Sequence, residues 1–214
     1  MNYNCNFYVE LFKPGINPDL DCLIFKGKNR INKTDEQLLN LARKGDAESF
    51  SALVKRYETQ VAATVIGMLG HCAEADDVGQ ETFIRFYKAL HDFRGEAALG
   101  TYLTRIAINL SLNEIKRRRR RTWFFPESTD AVHHLPDENK PEDIEMIKLV
   151  HKAIGQLDSD FRAVVVLRLI DGYSTRETAE ILKIPEGTVL SRLARAQKKM
   201  QTILSPFMGE KSDD

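Results

Sequence analysis

Two short helical segments joined by a tight turn are predicted within residues 172–200, and they constrain the fold more than any other part of the chain. Ser174 and Glu177 have capping-box spacing, in which the hydroxyl and the carboxylate each bond a free backbone amide at a helix start. This first helix is predicted to end near Leu182. Pro185 suits the first position of the next helix, because the amide hydrogen that proline lacks would have had no partner there. The pattern is typical of a helix-turn-helix.

The second helix of this pair is amphipathic. Its apolar residues recur at steps of three or four and are predicted to pack inward: Val189, Leu193, Ala196 and Met200. The opposite arc carries Ser191, Arg195 and Lys198, with Arg192 and Lys199 at its edge. A helix-turn-helix places such a face in the major groove, where arginine bonds guanine edges and serine or lysine holds phosphates. A solvated helical hairpin is the alternative, but the capped partner helix and the turn favour a DNA-reading element.

Charge is segregated along the chain although it cancels overall. The 31 basic and 31 acidic residues give no global positive field that would attract nucleic acid. Residues 116–121 are six consecutive cations, whereas seven acids and one lysine lie within residues 127–145. Cations at a helix end repel one another, and a polyanion is their natural neutraliser. The break between the basic and acidic blocks favours two small domains within the 214 residues.

Several classes of site are not indicated by the sequence. Cys5, Cys22 and Cys72 have no metal-ligand spacing and no even pairing, which fits free thiols in a reducing compartment. No apolar run approaches the ~18 residues that a membrane span needs, and no signal-peptide pattern is present. A phosphate loop and a nucleophile motif are also missing, which argues against a hydrolase or nuclease. We therefore expect a cytoplasmic, non-enzymatic protein with no catalytic residues, no metal, no cofactor and no membrane insertion.

Four helices are predicted ahead of the basic block. Thr34 and Gln37 form a second capping box, and the apolar spacing after it is helical throughout. The expected helices run from Thr34 to Gly45, from Asp46 to Gly70, over about residues 73–90 and over about residues 101–121. The residues expected in their core include Leu38, Leu39, Phe50, Leu53, Val54, Tyr57, Val61, Val65, Ile66, Leu69, Val78, Phe83, Phe86, Leu90, Leu103, Ile106, Ala107 and Leu110.

Three runs in this part, residues 76–83, 93–97 and 101–109, resemble the second conserved domain of bacterial extracytoplasmic-function (ECF) sigma factors of the sigma-70 family, and the helix-turn-helix resembles their fourth. The likeness covers about residues 35–203. It implies an all-α fold of two small helical domains joined by a flexible acidic linker. The expected divisions are an N-terminal extension (1–32), sigma domain 2 (33–121), the linker (122–141), sigma domain 4 (142–208) and a tail (209–214).

The resemblance also implies roles for individual residues. Those expected to dock on the clamp helices of the polymerase largest subunit are Asp77, Gln80 and Glu81. A second set is expected to melt and read the minus-10 element, with one base flipped into a pocket. This set contains Phe93, Arg94, Gly95, Arg105 and Asn109, followed by Lys116, Arg117 and Arg118 of the basic block. Those expected to read the minus-35 element are Glu186, Thr188, Ser191, Arg192, Arg195 and Lys198, in a domain that also touches the polymerase flap.

The function implied is that of an initiation factor. It binds core RNA polymerase, directs promoter-specific initiation and assists melting, with promoter DNA and an anti-sigma protein as further partners and a monomer as the free form. The alternative is a free-standing helix-turn-helix regulator. Such regulators usually dimerise to match paired half-sites, and this chain has no heptad seam.

The linker length has a consequence for the free protein. Promoter elements about 17 base pairs apart lie ~58 Å apart along B-form DNA at ~3.4 Å per pair. Twenty extended residues reach only ~66 Å at ~3.3 Å each, and their relaxed length is ~25 Å. We therefore expect the free protein to be more compact than the promoter-bound form.

Overall fold

The computed structural model describes residues 33–124 and 149–207, and the regular structure in these ranges is entirely helical. Before the gap lie α1 (Asp35–Arg43), α2 (Ala47–Leu69), α3 (Ala73–Lys88) and α4 (Leu99–Phe124). After it lie α5, described over residues 149–155, then α6 (Ser159–Val165) with a π-helical continuation (Val166–Ile170), α7 (Thr175–Leu182), α8 (Glu186–Leu204) and a 3-10 turn (Ser205–Phe207). The all-α prediction is confirmed.

The described residues pack into two compact units. The first contains residues 33–62 and 76–107, and the second contains residues 63–75, 108–124 and 149–207. Helices α2, α3 and α4 each contribute to both units, so this division does not follow the predicted linker. The domain boundaries proposed from the sequence therefore stay predictions. The N-terminal extension, the tail and residues 125–141 of the linker lie outside the described residues.

Helix α1 begins as the sequence predicts. The Gln37 amide donates to Thr34 Oγ1 at 3.3 Å, and the Thr34 amide donates to Gln37 Oε1 at 3.0 Å. The two bonds satisfy two of the amides that a helix start leaves without partners. Leu38, Leu39 and Ala42 are buried on the inward face of this helix.

The first unit is built around an aromatic cluster. The Phe86 ring centroid lies 5.8 Å from that of Phe50 and 6.2 Å from those of Phe93 and Tyr102. Phe93 and Tyr102 lie 4.8 Å apart. Such tilted and edge contacts add to the area that the rings bury. The core residues predicted from helical spacing are buried, except that Tyr57, Ile66 and Ile106 are partly buried.

Helix α4 extends further in both directions than predicted. It begins at Leu99 rather than near Thr101, and it continues through Phe124 rather than ending at Arg121. The sequence offers no breaker before Pro126, and a proline biases the residue before it away from helix. Residues 122–124, expected at the start of the linker, are therefore helical.

Helices α5 to α8 form the second half of the second unit. Helical spacing in the sequence also predicts a helix from about Glu142, with Val150 and Ile154 facing inward, and an apolar helix over residues 161–170. Helix α6 begins at Ser159, two residues before the second of these. Val150 and Ile154 of α5 pack as predicted, in a cluster with Leu157, Val165 and Ala196; the earlier part of this predicted helix lies outside the described residues.

The turn between α7 and α8 differs from the prediction at one residue. Pro185 is the N-cap of α8, with extended φ −61° and ψ 147°, and Glu186 takes the first helical position. Lys183 closes α7 in the left-handed region at φ 55°. The proline therefore ends the turn instead of opening the helix, and a carboxylate lies at the positive end of the α8 dipole.

Replacing the capping serine tests how α7 is held. We expect Ser174→Ala to lower the free energy of unfolding by about 1 kcal/mol, because the Glu177 amide loses its acceptor. Chemical denaturation followed by far-UV circular dichroism measures the loss, and hydrogen exchange at the Glu177 amide localises it. Thr202→Ala, which removes a hydroxyl bonded only within its own helix turn, is the control. Equal losses in both variants would contradict the capping role.

Candidate nucleic-acid interface

The inward face of helix α8 packs in two small apolar clusters. Val189 packs with Val164 and Ala179, and Ala196 packs with Ile154, Leu157 and Val165. Val189 and Ala196 are fully buried, and Leu193 contacts both clusters. The predicted inward stripe is confirmed. This packing fixes the orientation of α8 about its own axis. It therefore also fixes which side chains of α8 are exposed.

The outer arc of α8 presents most of the predicted minus-35 residues. Glu186, Ser191, Arg195 and Lys198 are exposed, and Thr188 is partly buried. The Ser191 hydroxyl donates to the Thr188 carbonyl at 3.1 Å, within the helix. Within the described residues, the side chains of Arg195 and Lys198 show neither an ion pair nor a hydrogen bond, so both cations face solvent.

Two basic residues at the edge of this arc are paired with acids that flank the start of α6. The Arg192 guanidinium lies 2.7 Å from the Asp160 carboxylate, and the Lys199 ammonium lies 3.3 Å from that of Asp158. Arg192 is the more sheltered cation, with 27% of its side chain exposed. A DNA contact by Arg192 therefore requires the exchange of one anionic partner for another.

The predicted minus-10 loop is fixed by an arginine from α1. The Arg43 guanidinium donates to the Leu90 carbonyl at 3.1 Å through Nε and to the Phe93 carbonyl through Nη2. Phe93 is buried in the aromatic cluster, whereas Arg94 and Gly95 are exposed. Gly95 has φ +74°, a conformation in which a side chain is strained. The loop thus offers Arg94 at the surface and retains the Phe93 ring in the core.

Helix α4 carries two further predicted minus-10 residues one turn apart. Asn109 is exposed. Arg105 is partly buried, and its Nε is buried without a hydrogen-bond partner within the described residues. A buried guanidinium nitrogen without a partner is costly, so Arg105 is the less accessible of the two.

The predicted polymerase contacts lie on one face of α3, at positions i, i+3 and i+4. Asp77 is exposed, and Gln80 and Glu81 are partly buried. Glu81 pairs with Arg85 at 2.8 Å. Burial, with the neighbouring Asp77 charge, raises the pKa of Asp76. Negative charge is therefore concentrated at the start of this helix.

The basic block is partly neutralised by the chain itself, which the sequence did not lead us to expect. Arg117 pairs with Glu114 at 2.7 Å, and Arg118 lies 3.1 Å from Glu74. Arg118 also lies 3.3 Å from Glu114, and Arg121 lies 3.7 Å from Glu74. A backbone hydrogen bond, together with the charges of Arg118 and Arg121, lowers the pKa of Glu74. A bound polyanion is therefore not the only source of negative charge that balances this block.

The remaining cations of the block are differently placed. Lys116, Arg119 and Arg120 are exposed and show no ion pair in the part of the chain that the structure describes. Arg118, by contrast, also donates to the Leu69 carbonyl at 3.5 Å and to the Cys72 sulfur at 2.8 Å. The basic block therefore contains two kinds of cation. Some face solvent, and others bond to residues at the helix ends around Leu69.

Sequence reasoning missed several residues that position these surfaces. The Glu114 spacing to Arg117 and Arg118 is a recognisable i+3 and i+4 pattern and could have been found. Arg43 bonds loop carbonyls that lie 47 and 50 positions further along the chain. No local sequence pattern indicates these bonds. Across the described ranges, no cluster of three metal-ligating side chains is present, and no helix is long and apolar enough to cross a membrane.

Two family models match the chain in the expected order. Residues 53–121 match the model described as Sigma-70 region 2, and residues 147–200 match the one described as Sigma-70, region 4. We use "region 2" and "region 4" below for these two ranges. Their presence in one chain disfavours a free-standing helix-turn-helix regulator.

Curated relatives extend the match over most of the chain. The RNA polymerase sigma-H factor of Pseudomonas aeruginosa is 36% identical over 186 residues, which cover 82% of this chain and 96% of that protein. The ECF RNA polymerase sigma-E factor of Haemophilus influenzae is 34% identical over 185 residues, covering 82% and 97%. That of Escherichia coli K12 is 35% identical over 185 residues, covering 82% and 96%.

Solved structures share the fold. CnrH, solved in complex with the cytosolic domain of CnrY, aligns with a TM-score of 0.59 at 27% identity, covering 80% of this chain and 97% of that chain. The sigma factor RpoE of Bartonella quintana, solved with the anti-sigma factor NepR, aligns with a TM-score of 0.62 at 21% identity, covering 74% and 98%. The two matched regions, together with the curated relatives, establish that the chain belongs to the ECF family of RNA polymerase sigma factors.

Proposed function

We propose that this sigma factor reads the minus-35 element chiefly through the solvent-facing arc of α8. The observation that carries the assignment is that the side chains of Arg195 and Lys198 have no partner within the described residues, whereas those of Arg192 and Lys199 pair with Asp160 and Asp158. Glu186, Thr188 and Ser191 lie nearer the start of the same helix and accompany the two cations. Arg192 joins them only when its ion pair with Asp160 is exchanged for DNA.

The minus-10 and polymerase surfaces belong to region 2 in this proposal. Arg94, Gly95 and Asn109 contact the melted strand, while Phe93 positions the loop from the core and Arg105 acts from a partly buried site. Lys116 contributes to backbone binding, and Arg117 and Arg118 do so less because their charges are paired. Asp77, Gln80 and Glu81 form the acidic contact with core polymerase.

The partners follow from the same assignment. Core RNA polymerase and promoter DNA are the working partners, and the free protein is a cytoplasmic monomer without enzymatic activity. An anti-sigma protein is a further proposed partner, supported by the anti-sigma complex of the Bartonella quintana relative.

In vitro transcription tests this function directly. With purified core polymerase and fragmented genomic DNA, we expect start sites that appear only when the protein is added, preceded by shared minus-35 and minus-10 elements. Core polymerase alone is the control. Tight DNA binding without new start sites and without co-migration with core would instead support a free-standing regulator.

The assignment of Arg195 predicts a loss of promoter discrimination. We expect Arg195→Ala to weaken binding of the reconstituted holoenzyme to its promoter by ~1–3 kcal/mol if the guanidinium contacts a base edge. Binding is measured on the cognate promoter and on variants changed at each minus-35 position. Lys152→Ala, an exposed cation on α5, is the control. Equal losses on every sequence would make Arg195 a phosphate contact, and no loss would exclude it from the interface.

The division of the basic block predicts unequal salt dependence. We expect Lys116→Ala/Arg120→Ala to flatten the slope of log K against log[KCl] by ~0.9 for each phosphate that the protein no longer neutralises. The matched double variant Arg117→Ala/Arg121→Ala removes the same charge from residues already paired with Glu114 and Glu74, so its slope should change less. Identical slopes in both variants would contradict the division.

A further inference from the structure

Leu190 is the most exposed large apolar side chain among the described residues, with 55% of its surface open to solvent. The two apolar clusters that fix α8 take Val189, Leu193, Ala196 and Met200 from this helix. Leu190 is turned about 100° away from Val189 around the helix axis and lies outside the buried stripe. A single exposed leucine is ordinary on a protein surface, so its meaning depends on what surrounds it.

The residues beside Leu190 on the same side of α8 are small. Gly187 and Ala194, three positions before it and four after it, share its face of the helix, and both are exposed. A Cβ atom added at Gly187 would meet nothing within 4 Å, so the described chain leaves this side of the helix open there. Another molecule can therefore approach the α8 backbone closely, and the Leu190 side chain projects toward it.

This side of α8 is unsuited to a phosphate backbone. Its charged group is the carboxylate of Glu186, which lies one turn before Leu190 and is exposed. Phosphate binding depends on cations, and the α8 cations without a partner within the described residues, Arg195 and Lys198, lie on the adjoining arc. An apolar side chain beside a carboxylate is better matched to the edges of bases than to phosphates.

The position of Leu190 along α8 also favours base edges. The recognition helix of a helix-turn-helix places its N-terminal residues against the bases in the major groove, and Leu190 is the fifth residue of α8, which begins at Glu186. The apolar group that DNA displays in this groove is the C5-methyl group of thymine, and apolar side chains contact it. Of the four standard bases only thymine carries this group, so such a contact discriminates between base pairs.

We propose that Leu190 is a specificity-determining residue of this sigma factor, which selects an A·T pair in the minus-35 element by packing its Cδ methyl groups on the C5-methyl group of thymine. This inference rests on the proposed function, because it takes α8 as the helix that reads the minus-35 element. The contact removes apolar surface of both partners from water, and that burial is favourable. The neighbouring cations hold α8 in the groove, while Leu190 discriminates at one base pair.

Removal of single methyl groups from the promoter tests the contact. Once the start sites have located the minus-35 element, each of its thymines on either strand is replaced singly by deoxyuridine. This base keeps the pairing and the O4 acceptor and lacks only the C5-methyl group. Binding of the reconstituted holoenzyme to each duplex is then measured. We expect one of these replacements to weaken wild-type binding ~4-fold, the effect of one buried methyl-sized group.

Variants of Leu190 assign the methyl effect to this side chain. Leu190→Ala should bind the thymine promoter ~4-fold more weakly or worse and should not respond to the deoxyuridine, because the methyl group has lost its partner. Leu190→Met keeps a long apolar side chain and should keep the effect. Leucine, alanine and methionine are all good helix formers, and far-UV circular dichroism checks that the variants fold alike.

Leu169→Ala is the matched control. Leu169 lies on the π-helical segment, and 53% of its surface is exposed, so the same substitution is made at nearly the same exposure outside α8. Its holoenzyme should respond to the deoxyuridine as the wild type does. Loss of the response in Leu169→Ala would show that the effect is not specific to Leu190 and would overturn the inference.

Four further outcomes are decisive. A minus-35 element without an A·T pair, or one in which no deoxyuridine changes wild-type affinity, would overturn the role of Leu190. A methyl effect that persists in Leu190→Ala would assign the contact to another side chain, such as that of Thr188. Weaker binding of Leu190→Ala to core polymerase without DNA would assign Leu190 to a protein interface instead. A wild-type holoenzyme that binds no promoter would reject the proposed function itself, whereas promoter binding without a methyl effect rejects only the role of Leu190.

Discussion

The burial of the apolar stripe of α8 against α6 is the constraint on which the DNA-reading surface depends. Val189 and Ala196 are fully buried, and burying a valine side chain contributes ~1.5–3 kcal/mol. Because side chains three and four positions apart share a face of a helix, fixing the inner stripe also fixes the outer one. Arg195 and Lys198 face solvent for this reason, independently of any DNA.

Ion pairing then decides which of the many cations are available to nucleic acid. Arg192 and Lys199 are engaged by acids beside the start of α6, and Arg118 braces the end of α2 against Glu74. The pair of Lys199 with Asp158 is exposed on both sides, and such pairs contribute little to stability, so DNA phosphates can compete for Lys199. The basic residues therefore differ in how readily they can bind DNA. Those without an ion pair can bind it without losing an internal partner.

The sequence predicted the helices well because their signals are local. Both capping boxes, at Thr34 and at Ser174, form as expected, and the helical spacing of apolar residues identified the cores. The differences between the predicted and observed structure also have physical causes. Pro185 caps α8 from outside because its extended ψ suits an N-cap, and α4 continues past Arg121 because no breaker intervenes before Pro126. Phe93, whose role in reading the minus-10 element stays a prediction, is buried, since an aromatic ring beside Phe86 and Tyr102 gains more from packing than from exposure.

The sequence by itself determined the all-helical fold, the helix-turn-helix and the resemblance to sigma factors, because periodicity, capping and motif order depend on residues close together in the chain. Only the tertiary structure decided which side chains are free. Arg43 bonds the Phe93 carbonyl, Thr64 bonds Asp171 and Arg162 caps α2 at Met68. These partners are 50, 107 and 94 positions apart. No local pattern encodes such pairs, because they form only when packed helices bring distant residues within hydrogen-bond distance.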